Sequence, residues 1–366
     1  MTEGRGWRMG RLEGDKLAVL ASGADAATEL LVVLEAACRT FRVELPQQAM
    51  SIPATATAGV AIFQRHGASA HDLLRNADIA LDRAKLNQRG AAVVFTGAMR
   101  RSWQQETDAL AEARTALDRD LIVPFYQPKM APASGRIVGW EALLRIQRGP
   151  RYDRPQTIAE ALDDPDLSRE IGLRMRSKVL AQIALWQGAG VDTGVVSLNA
   201  SPVELASVGF AQRFLADLVE FGVLPSSVGI EVTESAVIGG NSGRIATELR
   251  QLKSLGVNIA LDDFGTGYGS LIHMMDFPLD AIKVDRAFVA SLEVSNRARA
   301  ILSALATLTR DLGLQLVAEG VETPEQLSRL TCLGCDLVQG YLVGKPMPAS
   351  AVTRYLSERS MEPPLS

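Results

Sequence analysis

Asn258-Ile259-Ala260-Leu261-Asp262-Asp263-Phe264-Gly265-Thr266-Gly267 is the stretch that decides the fold. A short apolar strand ends in two acids, and glycines then turn the chain away. The same plan recurs on both sides. Upstream, Arg136–Arg145 carries Glu141 and Arg145 on one face, Gly194–Ala200 carries Asn199, and Val228–Glu234 carries Glu231 and Glu234. Downstream, Ala281–Asp285 carries Lys283 and Asp285, Gln315–Val321 carries Glu319 with Glu322 just beyond, and Leu337–Val343 carries Gln339. With Ile122–Lys129, eight β-rich segments stand in line, most of them separated by helical patterns. Ile245–Leu255 and Ala298–Leu312 are two such helices, stopped by Gly256 and Gly313. Eight βα units in about 240 residues predict an α/β fold, a (β/α)8 TIM-type barrel. Met130–Gly135 is too short for a helical crossover, so the first strand is expected to run antiparallel to the second.

In a barrel these strand ends converge at one mouth, where active sites of this fold lie. One acid at a strand end is usually a solvated loop residue or a helix cap. So many strands carrying polar side chains at this end are not accounted for so simply. Two carboxylates about 4 Å apart repel by about 4 kcal/mol at an effective dielectric near 20. Several in one cleft need protons or cations to coexist. Oxygen-only ligation suits Mg²⁺ or Mn²⁺ rather than zinc. His66, His71 and His273 fall away from the barrel strand ends and read as surface or packing residues. Adjacent Asp262 and Asp263 can share one site only where the strand ends and turns, which Gly265 and Gly267 permit. One Asp bridging two metals about 3.5–4 Å apart suits in-line displacement at phosphorus. Lys283 is then placed to orient or help deprotonate water, or to steady charge on phosphate oxygens.

The 366 residues make two domains the prior. Lys and Arg number 38 against 42 Asp and Glu, with no long basic run. A nucleic-acid polymer or an anionic membrane is therefore not expected as a partner. Cys38, Cys332 and Cys335 are too few and uneven for a secreted disulfide framework, and Cys332-x-x-Cys335 lacks a second Cys/His pair for zinc. The apolar stretch Leu17–Cys38 is broken by Asp25, Glu29 and Glu35, so no membrane segment is expected. Met1–Gly10 lacks the apolar core of a leader, and a cytoplasmic location is expected.

The first hundred residues alternate strands (Lys16–Ala21, Ala56–Phe63, Ala91–Phe95) with helices (Ala24–Arg39, Ala70–Leu86), a small α+β pattern. A helix follows over Met99–Arg119. Trp103, Thr107, Leu110, Arg114, Leu117 and Leu121 have heptad-like spacing, but two polar positions argue against a stable coiled coil. The expected division is 1–98, a linker helix 99–121, and a barrel 122–360.

Glu141-Ala142-Leu143-Leu144-Arg145 resembles the signature of the EAL domain, a cyclic di-GMP phosphodiesterase family. The resemblance runs from Pro124 to Pro348. It includes Phe125-Tyr126-Gln127-Pro128, Leu198-Asn199, Glu231-Val232-Thr233-Glu234, Asp262 to Tyr268, Lys283-Val284-Asp285, Ala318 to Thr323 and Gln339-Gly340-Tyr341. It implies a barrel with an antiparallel first strand and metal-dependent hydrolysis of cyclic di-GMP to linear pGpG. It implies that Glu141, Asn199, Glu231 and Asp262 hold one Mg²⁺ or Mn²⁺, and that Asp262, Asp263 and Glu319 serve a second. Lys283 would contact the attacking water, Arg145 a substrate phosphate, and Glu234 the loop after Asp263. Asp285, Glu322 and Gln339 match as further metal- or substrate-site residues. A homodimer through the barrel is implied by analogy alone. Three positions depart from the family: Ile146 stands where Trp is usual, Gly269 where Ser is usual, and Gln147–Arg169 lacks the common Pro-rich stretch.

Arg11-Leu12-Glu13-Gly14-Asp15-Lys16-Leu17, Ala58-Gly59-Val60-Ala61, Leu73 to Leu81 and Ala84-Lys85 resemble the second half of a GGDEF (diguanylate cyclase) domain. Lys16 stands where cyclisation needs an acid, and Glu13 adds charge where phosphate would approach. Gly4 and Trp7 replace the inhibitory Arg and Asp, and the family's first strand and helices have no counterpart. The resemblance thus implies a degenerate, partial domain without cyclase activity. Two other readings of the whole chain are a non-hydrolysing cyclic di-GMP receptor signalling by protein contact, and an acidic barrel performing metal-assisted enolate chemistry. The receptor would be marked by loss of Glu141, of either Asp or of Lys283, and none is lost.

Overall fold

Val228-Gly229-Ile230-Glu231-Val232-Thr233 is buried along almost its whole length, as a parallel strand covered by helices must be. The computed structural model describes residues 7–39, 41–45, 50–265 and 276–359. The chain forms two units, Met1–Asp108 and Ala109–Ser366.

In the second unit eight strands close into a barrel. They are Ile122–Ala131, Arg136–Arg148, Val195–Ala200, Val228–Thr233, Asn258–Phe264, Ala281–Val284, Gln315–Ala318 and Leu337–Gln339. The second to eighth run parallel. The first is antiparallel to the second and to the eighth, and closes the ring. Alternation sends Leu198, Ile230, Val232, Ile259 and Leu261 outward, into a core shared with Ile171, Val179, Phe214, Leu218 and Leu249 of the surrounding helices. Val284, Leu316 and Ala318 do the same against Leu302, Leu305 and Leu330.

The helices begin and end where side chains can satisfy their open backbone groups. Asp164 accepts from the Asp166 and Leu167 amides, with Pro165 in the first turn, to start Pro165–Gly188. Thr323 and Gln326 form a capping box for Pro324–Leu333. Gly256 and Gly313 take left-handed φ values of 97° and 69° just past their helices.

Four strands stop short of their expected ends, because the next helix or turn starts at once. The fourth ends at Thr233, where Glu234 opens the next helix. The sixth ends at Val284, and Asp285 caps the helix Arg286–Ser291. The seventh ends at Ala318 and the eighth at Gln339. The second strand instead runs on to Arg148 and pairs with Arg151–Asp153. The helix Gly97–Asp118 buries Leu117 of the expected stripe together with Ala109, Ala113 and Ala116, which lie outside it, while Leu110 is partly buried. Small side chains let a helix lie close, so alanines make up most of the packed face here.

Among its described residues, the first unit contains three two-stranded pairings: Arg8–Arg11 with Leu17–Leu20, Phe41–Leu45 with Met50–Ala54, and Ala58–Val60 with Ala92–Val94. The second of these is absent from the sequence reading. Helices Ala26–Arg39 and Ala70–Asn87 complete the small α+β unit. A Cβ on Gly59 would lie 2.0 Å from the Ala77 carbonyl oxygen, so helix and strand meet here only because the residue is glycine. Lys16 pairs with Asp78 at 3.1 Å, both partly exposed.

Candidate active site

The inward positions of a barrel strand alternate with core positions, so each strand offers the mouth one or two side chains. Strand pairing puts Glu141 beside Ser197, Asn199 beside Glu231, and Thr233 beside Asp262. Lys283 is 1% exposed and is the hub. Its Nζ lies 3.3 Å from Glu141 Oε2, 3.0 Å from Asp262 Oδ1 and 2.6 Å from Glu319 Oε1, and it donates to Glu231 Oε2. Asn199 donates to Glu141 Oε1 at 3.0 Å. Gln339 donates to Glu141 Oε2 at 2.7 Å and to Gln127 Oε1 at 3.2 Å.

Asp262 and Asp263 reach the same side by a local distortion. Pairing with the sixth strand slips between Leu261 and Phe264, and Asp263 sits at φ 55°. Asp tolerates this left-handed conformation better than most residues. The turn expected at Gly265 therefore begins two residues earlier, inside the strand. The Asp263 amide donates to Asp262 Oδ1 at 3.0 Å, which fixes the first carboxylate against the second residue's backbone.

Oxygens of Glu141, Glu231 and Asp262 lie within 4.8 Å of one another, and so do those of Asp262, Asp263 and Glu319. Asp262 belongs to both groups. Such hard, oxygen-only sets fit divalent cations of the Mg²⁺, Mn²⁺ or Ca²⁺ kind. The Lys283 ammonium already occupies the centre of four of these carboxylates, and Gln339 Oε1 is buried with no hydrogen-bond partner among the described residues. Both observations fit a cleft made for positive charge.

The electrostatics follow from crowding. Burial, reinforced by neighbouring acids and opposed by Lys283, pushes the Glu319 carboxyl up to about 8 and that of Asp262 up to about 6. Burial likewise raises Asp263. Glu231 is buried too, but Lys129 and Lys283 overcome that penalty and hold it down to about 2. Burial opposes the charge on Lys283, yet Glu141, Glu231, Glu319 and Asp262 raise it well above the usual lysine value.

A stability prediction follows. With Glu319 raised from an ordinary 4.5 to about 8, the folded metal-free protein binds more protons than the unfolded chain across that range. Its stability should then fall as pH rises from about 5 to about 8. Melting in EDTA across that range is expected to show the decline in wild type and a flatter profile in Glu319→Gln. Identical profiles would remove Glu319 as the cause.

Other expected site residues lie around this centre. Asp285 accepts from the Ala287 amide as a helix cap and belongs to neither carboxylate group. Glu234 opens the helix Glu234–Ile238 and is buried; the loop it was expected to hold, including Thr266, Gly267, Tyr268 and Gly269, lies outside the described residues. Glu322 is exposed, its amide bound to Gln326 Oε1 at 2.8 Å. The Arg145 guanidinium stands 5.7 Å from the Phe125 ring and donates to the Leu144 carbonyl at 2.7 Å. From the unusual segment Gln147–Arg169, Arg154 donates to the Tyr341 hydroxyl at 2.6 Å. His66 accepts from the Ile62 amide, and His273 lies outside the described residues. Cys332 and Cys335 are free thiols.

Sequence reasoning missed Lys129 and Ser197. Lys129 is 7% exposed and donates to Glu231 Oε1 and, at 2.8 Å, to Ser197 Oγ. The signal was present: Gln127 and Lys129 alternate inward on a buried strand.

Residues 110–346 match the EAL domain, and residues 5–91 match the diguanylate cyclase GGDEF domain. The bifunctional diguanylate cyclase/cyclic di-GMP phosphodiesterase MucR of Pseudomonas aeruginosa is 33% identical over 344 residues, covering 93% of this chain and 49% of the relative. The cyclic di-GMP phosphodiesterase PdeR of Escherichia coli is 31% identical over 351 residues, covering 95% and 52%. The chain thus spans about half the length of these relatives. Among solved structures, the PaMucR phosphodiesterase in complex with c-di-GMP aligns with TM-score 0.63 and 36% identity, over 67% of this chain and 99% of that one. Among the described residues, no helix is long and apolar enough to cross a membrane. Together with the closed barrel and its acidic mouth, the match over residues 110–346 shows that this chain belongs to the EAL domain family.

Proposed function

We propose that the protein hydrolyses cyclic di-GMP to linear pGpG with two divalent ions, Mg²⁺ or Mn²⁺, at the barrel mouth. The observation that carries this reading is Asp262, shared by two carboxylate groups around a buried lysine. Glu141, Asn199, Glu231 and Asp262 would hold one ion; Asp262, Asp263 and Glu319 would hold the other. When bound, such ions lower the pKa of water and stabilise an in-line displacement at phosphorus. The reaction adds one water across one P–O bond of the ring. Lys283 orients that water and steadies charge developing on phosphate oxygens. Arg145, held against Phe125, takes a phosphate, and Gln339 keeps Glu141 turned to the mouth. Glu234 supports the loop after Asp263, and Asp285 and Glu322 shape the rim.

The first unit takes no catalytic part in this reading. Lys16 is engaged with Asp78, and a cation there repels the metal that cyclisation would need. A homodimer and a cytoplasmic location belong to the same proposal.

The test is incubation of purified protein with cyclic di-GMP and Mg²⁺ or Mn²⁺, with EDTA and GTP controls, followed by chromatography. Metal-dependent pGpG, and no cyclic di-GMP from GTP, are expected. Retained ligand binding without product would sink the hydrolase reading in favour of a receptor.

A further inference from the structure

Two arginines meet across a hairpin at the rim of the mouth. The second strand pairs antiparallel with Arg151–Asp153, Gln147 opposite Tyr152 and Ile146 opposite Asp153, and the next step of that register sets Arg145 level with Arg154. Like charges placed opposite each other in this way repel. Arg145 donates to the Leu144 carbonyl and Arg154 to the Tyr341 hydroxyl, and neither has a carboxylate partner among the described residues. Burial, and then the Arg154 charge, lower the Arg145 guanidinium from its usual value. A third cation, Lys345, lies 5.5 Å from the centre of the Tyr341 ring, and it too lacks a carboxylate partner among the described residues. Acids are within reach of this hairpin, since Arg148 pairs with Asp153 at 2.8 Å. The arginines at its mouth end are left open.

Position selects the ligand. Arg145 follows Glu141 by four residues on one strand, about 13 Å of extended chain. Tyr341 follows Gln339, which donates to Glu141, by two residues. The cations thus stand at the outer part of the mouth whose depth holds the carboxylates. A cyclic dinucleotide carries two phosphodiesters, and only one of them can lie at the reacting centre. We propose that Arg154, together with Arg145, grips the phosphodiester that is not cut, which makes Arg154 a specificity-determining residue for a substrate with two phosphates. The inference rests on the reading of the chain as a cyclic di-GMP hydrolase. A guanidinium presents a planar fork of donors that matches two phosphate oxygens. An anion between the arginines turns one repulsion into two attractions. Tyr341 engages Nη2 of Arg154, which leaves Nε and Nη1 to donate to the ligand. Arg154 belongs to Gln147–Arg169, the segment in which this chain departs from the family pattern.

Calorimetric titration of the full chain with cyclic di-GMP in EDTA, where no metal-dependent turnover consumes the ligand, measures the grip, and KM at saturating Mn²⁺ measures it during turnover. Arg154→Ala is expected to raise Kd and KM by about tenfold, the scale of one charge-assisted hydrogen bond. The effect should fall on KM rather than kcat, as for a contact equally strong in ground and transition state. Arg154→Lys keeps the charge without the fork and should lie between. Tyr341→Phe removes only the steadying hydroxyl and should cost less than Arg154→Ala. Loss of affinity with rising salt should be shallower in Arg154→Ala than in wild type. If Arg154 merely tied its segment to Tyr341, Tyr341→Phe would cost as much as Arg154→Ala, Arg154→Lys would recover nothing, and the salt dependence would not change. That result, or an unchanged Kd in Arg154→Ala, overturns the proposal. Wild type that binds cyclic di-GMP but releases no pGpG sinks the hydrolase reading alone, and the Kd series then decides the grip. Wild type that does not bind cyclic di-GMP overturns both.

Discussion

Purified Asp262→Ala protein is expected to hydrolyse cyclic di-GMP at least a thousandfold more slowly than wild type. Asp262 is the one carboxylate common to both oxygen groups. Its loss removes a ligand from each and the bridge between them. Losing about 4 kcal/mol of transition-state stabilisation, the several-kcal/mol scale of a misplaced metal, corresponds to about a thousandfold in rate. Asp262→Asn separates chemistry from folding. Its amide keeps the shape but not the charge, so turnover should fall to the same degree. Burial and neighbouring acids push the Asp262 carboxyl up to about 6, so its charge is unfavourable in the metal-free fold. The melting temperature of metal-free Asp262→Asn should therefore hold or rise near neutral pH, with Lys283 still facing Glu141, Glu231 and Glu319. Turnover within tenfold of wild type in either variant would refute the shared-ligand arrangement.

Lys283→Met should damage stability as well as rate. Four carboxylates contact this one ammonium. Breaking a buried ion pair costs about 3–5 kcal/mol. At roughly 2–4 °C per kcal/mol for a unit of this size, melting in EDTA should fall by about 10 °C. Saturating Mn²⁺ should recover much of that loss, since a divalent ion can take over as counter-charge. Turnover at saturating Mn²⁺ should still drop by about 10²–10⁴-fold, the usual worth of a positioned proton-handling or water-orienting group. Calorimetry with and without metal, beside single-turnover rates, measures both. An unchanged melting point in EDTA would mean that protons, not Lys283, balance the cluster.

Both predictions use residues that were legible before any coordinates. Parallel barrel strands are apolar on the outside and polar where they end, so Asp262, Glu231 and Lys283 stood out as acids and a base in apolar runs. The antiparallel first strand was equally legible, because Met130–Gly135 leaves no room for a crossover. Strand ends were not. Alternation continues through Asp285, but a side chain that caps a helix looks, in sequence, like one that ends a strand. The left-handed backbone at Asp263 was hidden behind the more obvious Gly265. Lys129 shares the alternation of Gln127, but a lysine next to the Met130–Gly135 turn is ordinarily solvated, so the alternation alone did not set it apart. On Gly97–Asp118, the leucine spacing found Leu117 but not the alanines that pack beside it.

The ring closes where Met130 pairs with Val338 and Lys129 with Gln339, residues that stand far apart along the chain. Contacts of such long sequence separation carry a loop-closure cost and slow folding. That seam also carries Gln339, which holds Glu141, and Lys129, which holds Glu231. The restraints on these two acids are therefore complete only where the first and last strands meet, so the seam that closes the ring also finishes its mouth.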